Sequence, residues 1–105
     1  MGKMKKACAI SDKVRLKVAI RDNHSCIICG THNMLQTAHY IPRSQGGMGV
    51  EENLVLLCAD CHREYDNGSK RAEYGDYIGR YLSWIYPEWD KEKLIYKKWR
   101  EFAYE

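Results

Sequence analysis

The pairs Cys26-Ile27-Ile28-Cys29 and Cys58-Ala59-Asp60-Cys61, the second running on into His62, decide how this chain is read. Each Cys-x-x-Cys brings two thiols round one tight turn, and two such turns complete a tetrahedral four-sulfur shell for zinc. A redox Cys-x-x-Cys would explain one pair and leave the other idle. A shell of three cysteines and one histidine, with His62 in place of Cys61, is the alternative ligand set. The 28 residues between the pairs exceed the roughly 15–20 of a compact zinc ribbon, so the insert is expected to carry something of its own. Cys8, the fifth cysteine, is left over and is expected to be buried or at a frayed end.

Outward from the pairs, the chain divides into short segments. Leu35 to Ile41 reads as a strand stopped by Pro42, residues 44–49 hold three glycines and read as a loop, and Leu54 to Leu57 reads as a buried strand entering the second pair. A helix follows over about 59–67, with Asn67-Gly68 as its stop. Ser11 can cap a helix over about 12–22, where Val14 and Val18 stand one turn apart. Ser69 can cap a helix over about 70–86 ended by Pro87, and Asp90 one over about 91–104 that carries Leu94, Ile95, Trp99 and Phe102 on one side. The tyrosines of the 70–86 segment fall at helical spacing, which suits core packing better than base stacking. Strand, loop, strand and helix form an α+β unit, and 105 residues suit a single domain over 11–105.

Residues 1–10 show no periodicity and read as a flexible basic arm. Residues 1–21 hold seven basic side chains against Asp12 alone, so the overall net charge of +3 conceals +6 at this end and −3 on the rest. A basic arm on a mildly acidic body suits a polyanion such as nucleic acid, or simply aids solubility. The apolar stretch Ala7–Ile10 is too short for a signal peptide, Lys6 spoils a myristoylation motif, and no apolar run approaches a membrane span. The expected location is therefore the cytoplasm.

Inside the insert stand Ala38-His39-Tyr40-Ile41-Pro42-Arg43, Gly46-Gly47 and Glu52-Asn53-Leu54, followed by Cys58-Ala59-Asp60-Cys61-His62. With Asn53 14 residues after His39 and His62 nine after that, residues 11–68 resemble the HNH endonuclease family in its zinc-bearing branch. The resemblance implies a ββα-metal core and hydrolysis of DNA phosphodiester bonds. It makes His39 the general base, Asn53 the residue that holds the ring of His39, and His62 a ligand of a catalytic divalent ion (magnesium, manganese or nickel). The family commonly has Asp or His just before the base, also as a ligand, and here that residue is Ala38. Asp66, one helical turn after His62, is the expected replacement. Arg43 and the basic arm are expected to meet phosphates, and no base-reading helix is evident, so specificity is expected to be low. Residues after Ser69, with Tyr86-Pro87-Glu88-Trp89-Asp90, are similar to a tail of small HNH proteins of tailed bacteriophages, which implies work with phage DNA packaging or processing. Ala38 also keeps open a non-cleaving zinc module that binds nucleic acid, and the C-terminal helices keep open an adaptor that docks a protein. His24 and His32 match no family position and are expected at the surface.

Overall fold

The computed structural model describes residues 2–97, with side chains from Lys5 onward. Helices α1 (Gly2–Cys8) and α2 (Asp12–Arg21) precede the strands β1 (Leu35–His39) and β2 (Leu54–Cys58). Helices α3 (Ala59–Asp66) and α4 (Arg71–Ile85) follow, then a 3-10 turn over Lys91–Leu94. The strands pair antiparallel, with Leu35 opposite Cys58 and His39 opposite Leu54. The architecture is a small α+β unit around a two-stranded sheet, as the segment pattern predicts. No helix among the described residues is long and apolar enough to cross a membrane.

Strand β2 is buried along its whole length. Successive strand residues face opposite ways, so Leu54 and Leu56 pack with Val18 of α2 on one side. Val55 and Leu57 pack on the other side with Tyr65 of α3 and Ile78 and Leu82 of α4. This two-sided burial explains why Leu54-Val55-Leu56-Leu57 is apolar at every position rather than alternating. Helix α2 starts where expected, because the Ser11 hydroxyl accepts the Val14 N–H at 3.2 Å.

A buried ion pair joins these layers. Asp22 grips the Arg21 guanidinium with both carboxylate oxygens at 2.8 and 2.9 Å, and also accepts the Leu56 N–H at 2.9 Å and the Tyr81 hydroxyl at 2.5 Å. Arg21 in turn donates to the Glu51 and Leu54 carbonyls. One pair thus ties the end of α2 to β2, to the loop before it and to α4.

The link between the strands runs from Tyr40 to Asn53, long for a hairpin, and is closed from inside by Asn53. Its side-chain oxygen accepts the Ile41 N–H at 2.8 Å, and its amide donates to the carbonyls of Met48 and Ile41 at 2.9 and 3.2 Å. Gly47 sits so close to the Ile41 carbonyl that a Cβ would lie 1.7 Å from its oxygen, so no side chain fits there.

Four points of local structure differ from expectation. Residues 2–8 are helical rather than a flexible arm, although Cys8 is buried at 2% exposure, one of the two places expected for it. Ser69 does not cap α4, which begins after Lys70 without a side-chain cap bond. The stripe on α4 is narrower than its tyrosines suggest: Ile78 and Leu82 are fully buried, but Tyr77 is half exposed. Asp90 does cap a turn, accepting the Glu92 N–H at 3.0 Å, but that turn ends at Leu94 and Ile95 forms a β-bridge with Gly47. Helix 91–104 is therefore not formed over 95–97, because Ile95 is used to close the 40–53 loop; residues 98–104, with Trp99 and Phe102, lie outside the described residues.

Removing the Asp22 carboxylate should strand a buried guanidinium and a strand N–H together. Asp22→Ala is expected to cost about 3 kcal/mol or more, read as a lower urea midpoint at unchanged slope.

Candidate active site and metal centre

The four sulfurs of Cys26, Cys29, Cys58 and Cys61 all lie within 4.8 Å of one another, and Cys29 Sγ stands 3.7 Å from Cys58 Sγ. Tetrahedral zinc at about 2.3 Å from each sulfur puts sulfurs about 3.8 Å apart, close to the Cys29–Cys58 separation, so the cluster suits zinc. Burial pushes the Cys26 thiol up, but backbone N–H groups of Cys29, Cys58 and Ile28 outweigh it and bring it down to about 7. A partly ionised thiol is already suited to a cation. Among the described residues this is the one group of three or more His, Cys, Asp or Glu placed to hold a metal. Cys61 completes it and His62 does not enter, which excludes the three-cysteine, one-histidine alternative.

Cys61 and His62 are successive residues of α3 and point about 100° apart, so while one faces the sulfurs the other faces a cleft. That cleft, of about 550 Å³, is lined by His39, Arg43, His62, Asp66 and Arg71 among others. Four of the residues singled out from sequence therefore meet in one place. Asn53 is not among them. It is fully buried in the loop, and its hydrogen bonds go to Ile41 and Met48, not to His39. Its place in the pattern reflects loop closure: it fixes the chain on either side of the cleft instead of touching the ring.

The ring of His39 is held by a different group. Its Nε2 lies 3.0 Å from the backbone oxygen of Cys8. A carbonyl only accepts, so Nε2 carries the proton, and in the neutral ring Nδ1 keeps its lone pair. Burial of the ring pushes its pKa below the ordinary histidine value; the Cys8 carbonyl opposes this, and Arg43 and His62 reinforce it. His39 is thus neutral near pH 7 and able to accept a proton at Nδ1.

His62 is positioned from both ends. Its Nδ1 lies 2.5 Å from Gln36 Oε1 of β1, and its Nε2 lies 3.1 Å from Asp66 Oδ2, one turn along α3. Gln36 Oε1 can only accept, so it takes the Nδ1 proton, and Nε2 is the ring nitrogen that faces Asp66. Two ligand atoms about 3 Å apart match the edge of an octahedron with bonds of about 2.1 Å, so the pair is spaced to share a small divalent ion. Ala38 offers nothing here: it is 1% exposed and packs in the core with Val55 and Tyr40. Arg43 is exposed at the cleft, on a 3-10 turn over Arg43–Gln45. Arg71, which sequence reading missed, reaches the same cleft while donating to the Tyr65 carbonyl at 3.1 Å. Gln36 was also missed, and neither residue stands in a motif that could have marked it. His24 and His32 are exposed, as expected.

Residues 26–68 match the family model described as HNH endonuclease. Over this stretch the chain is similar to the HNH endonuclease family. The HNH segment contains both cysteine pairs, the whole hairpin and α3. The chain is also 29% identical over 62 residues to anaredoxin of Nostoc sp. (strain PCC 7120), a match spanning 58% of this chain and 82% of that protein. In structure it is similar to the type IV phosphorothioation-dependent restriction endonuclease ScoMcrA, with a TM-score of 0.63 and 21% identity over 75% of this chain. That likeness is one of fold, and this chain spans only 20% of the restriction enzyme's length.

Loss of a sulfur should remove both metal and fold. Cys58→Ala is expected to bind no zinc and to lose cooperative unfolding, since structural zinc in small peptides contributes about 10–16 kcal/mol. Metal analysis and thermal melting of the purified variant check both.

Proposed function

We propose that the cleft is the active site of a metal-dependent endonuclease that hydrolyses DNA phosphodiester bonds with low sequence specificity. The observation that carries this reading is the convergence of His39, with Nδ1 left to accept a proton, and the His62–Asp66 pair on one cleft edged by Arg43 and Arg71. Hydrolysis of a phosphodiester needs a deprotonated water, positive charge near the phosphate and help for the leaving oxygen. In this reading Nδ1 of His39 takes the proton from water, and the Cys8 carbonyl stabilises the imidazolium so formed through Nε2–H. Arg43 and Arg71 bind and orient phosphates. A divalent ion, magnesium, manganese or nickel, would be held by His62 and Asp66, and when bound it supplies charge that polarises the scissile phosphate. Asn53 acts through the loop it closes and is a positioning residue. The setting proposed is bacterial or phage-infected cytoplasm, in packaging or processing of phage DNA, which rests on the tail after Ser69 alone.

A second reading has one specific support. Ala38 is buried, and His62 and Asp66 supply only two ligands, which suits a zinc module that binds nucleic acid without cutting it.

A supercoiled-plasmid assay separates the two, run with magnesium, manganese and nickel against chelator. Nicking that needs the ion and drops about 10²-fold or more in His39→Ala supports the nuclease. A salt-sensitive gel shift without cleavage by folded, zinc-loaded protein supports the binding module. The pH profile carries a sign: His39 must be neutral to act, so activity should fall only as pH drops below the ordinary histidine value of about 6.5.

Arg43→Ala should weaken binding of all DNA sequences alike. The slope of log affinity against log salt is expected to become shallower by about one unit, measured by anisotropy titrations at several salt concentrations.

A further inference from the structure

The residue that holds His39 lies outside the HNH segment, at the end of α1. Two backbone carbonyls and one buried side chain seat that end. The Ala7 carbonyl accepts the Gly49 N–H at 2.9 Å, the Cys8 carbonyl accepts from His39 Nε2 at 3.0 Å, and the Cys8 side chain is buried at 2% exposure. Gly49 makes the approach possible. A Cβ on Gly49 would lie 2.1 Å from the Ala9 oxygen, 2.7 Å from its carbonyl carbon and 3.0 Å from the Cys8 oxygen. All three of those atoms are backbone, so no rotamer change could relieve the clash. The arm would have to leave.

We propose that the N-terminal arm is a positioning element of the active site, in which the Cys8 carbonyl, seated by Gly49, fixes the ring of His39 for proton transfer. This rests on His39 being the proton acceptor. The arm's role is distinct from phosphate binding, because it acts through a backbone carbonyl and would survive loss of every lysine charge. It is also conditional on docking: α1 has only seven residues, too few to be a stable helix without packing. His39 is therefore oriented only while the arm is seated, and an arm drawn off its seat leaves the ring free to turn.

Full-length Gly49→Ala tests this with the arm still attached, and a protein beginning at Ile10 tests it without touching the loop. The first readout needs no activity. In ¹⁵N-labelled wild-type protein, His39 should give a slowly exchanging Nε2–H resonance, assigned by its absence in His39→Ala. The resonance should be lost in both variants, while zinc content and folding persist. The second readout is kinetic: in Gly49→Ala, kcat for nicking should fall about 10²-fold, with KM little changed. Persistence of the Nε2–H signal in both variants would overturn the proposal, as would loss of the signal at unchanged kcat. If the wild-type protein cuts no DNA with any ion, the nuclease reading fails, and the ring signal alone decides whether the arm holds His39.

Discussion

Four sulfur atoms within 4.8 Å of one another tie the turn at Cys26–Cys29 to the junction of β2 and α3. A two-stranded sheet of five residues a strand is marginal in water, and here its strands are joined by a long loop. Zinc at such a cluster contributes about 10–16 kcal/mol in small peptides, as much as the whole net stability of an ordinary domain, about 5–15 kcal/mol. The cluster does more than hold the hairpin shut. It sets the rotation of α3, because Cys61 must face the sulfurs, and the 100° step to the next residue then puts His62 in the cleft. The structural metal centre and the candidate catalytic face are successive consequences of one helical phase.

Two polar centres carry that order outward. Asp22 and Arg21 connect α2 to both β2 and α4, so the layer on one side of the buried strand is fixed relative to the layer on the other. Asn53 does the same for the loop: one amide satisfies three backbone groups that burial would otherwise leave unpaired. The loop's outer half is then pinned by the bridge between Gly47 and Ile95. The wall of the cleft that bears Arg43 is thus held from below by Asn53 and from the side by the segment after α4.

Much of this was legible in the residues, and what was not has a common cause. The cysteine pairs, the apolar run of β2 and the i, i+4 placement of His62 and Asp66 are local patterns, and local patterns survive folding. The seat of residues 2–8 is not local, because Gly49, about 40 residues away, donates to the Ala7 carbonyl and leaves room for the arm. The end of the 91–94 turn likewise depends on Gly47 taking Ile95 as a partner. Asn53 shows the same limit from the other direction. Its spacing within the motif is local, but which polar groups an amide satisfies is decided by the loop around it. Gln36 and Arg71 lie in stretches with no motif, and only the packed structure brings them to His62 and to the cleft.

Ala38 sharpens the question of how such a site works with so few ligands. It pairs with Val55 and is packed beside Tyr40 in the apolar core, so a carboxylate there would be buried among apolar neighbours. An unpaired buried carboxylate takes up a proton rather than bind an ion, because desolvation disfavours its charge. In this packing the position could not serve as a ligand even if the residue were acidic. Asp66, exposed at the end of α3 and 3.1 Å from His62 Nε2, lies on the same helical face. On the proposed reading, the ligand missing at Ala38 is supplied from the helix instead of the strand, and both members of the His62–Asp66 pair are set by the phase that Cys61 imposes.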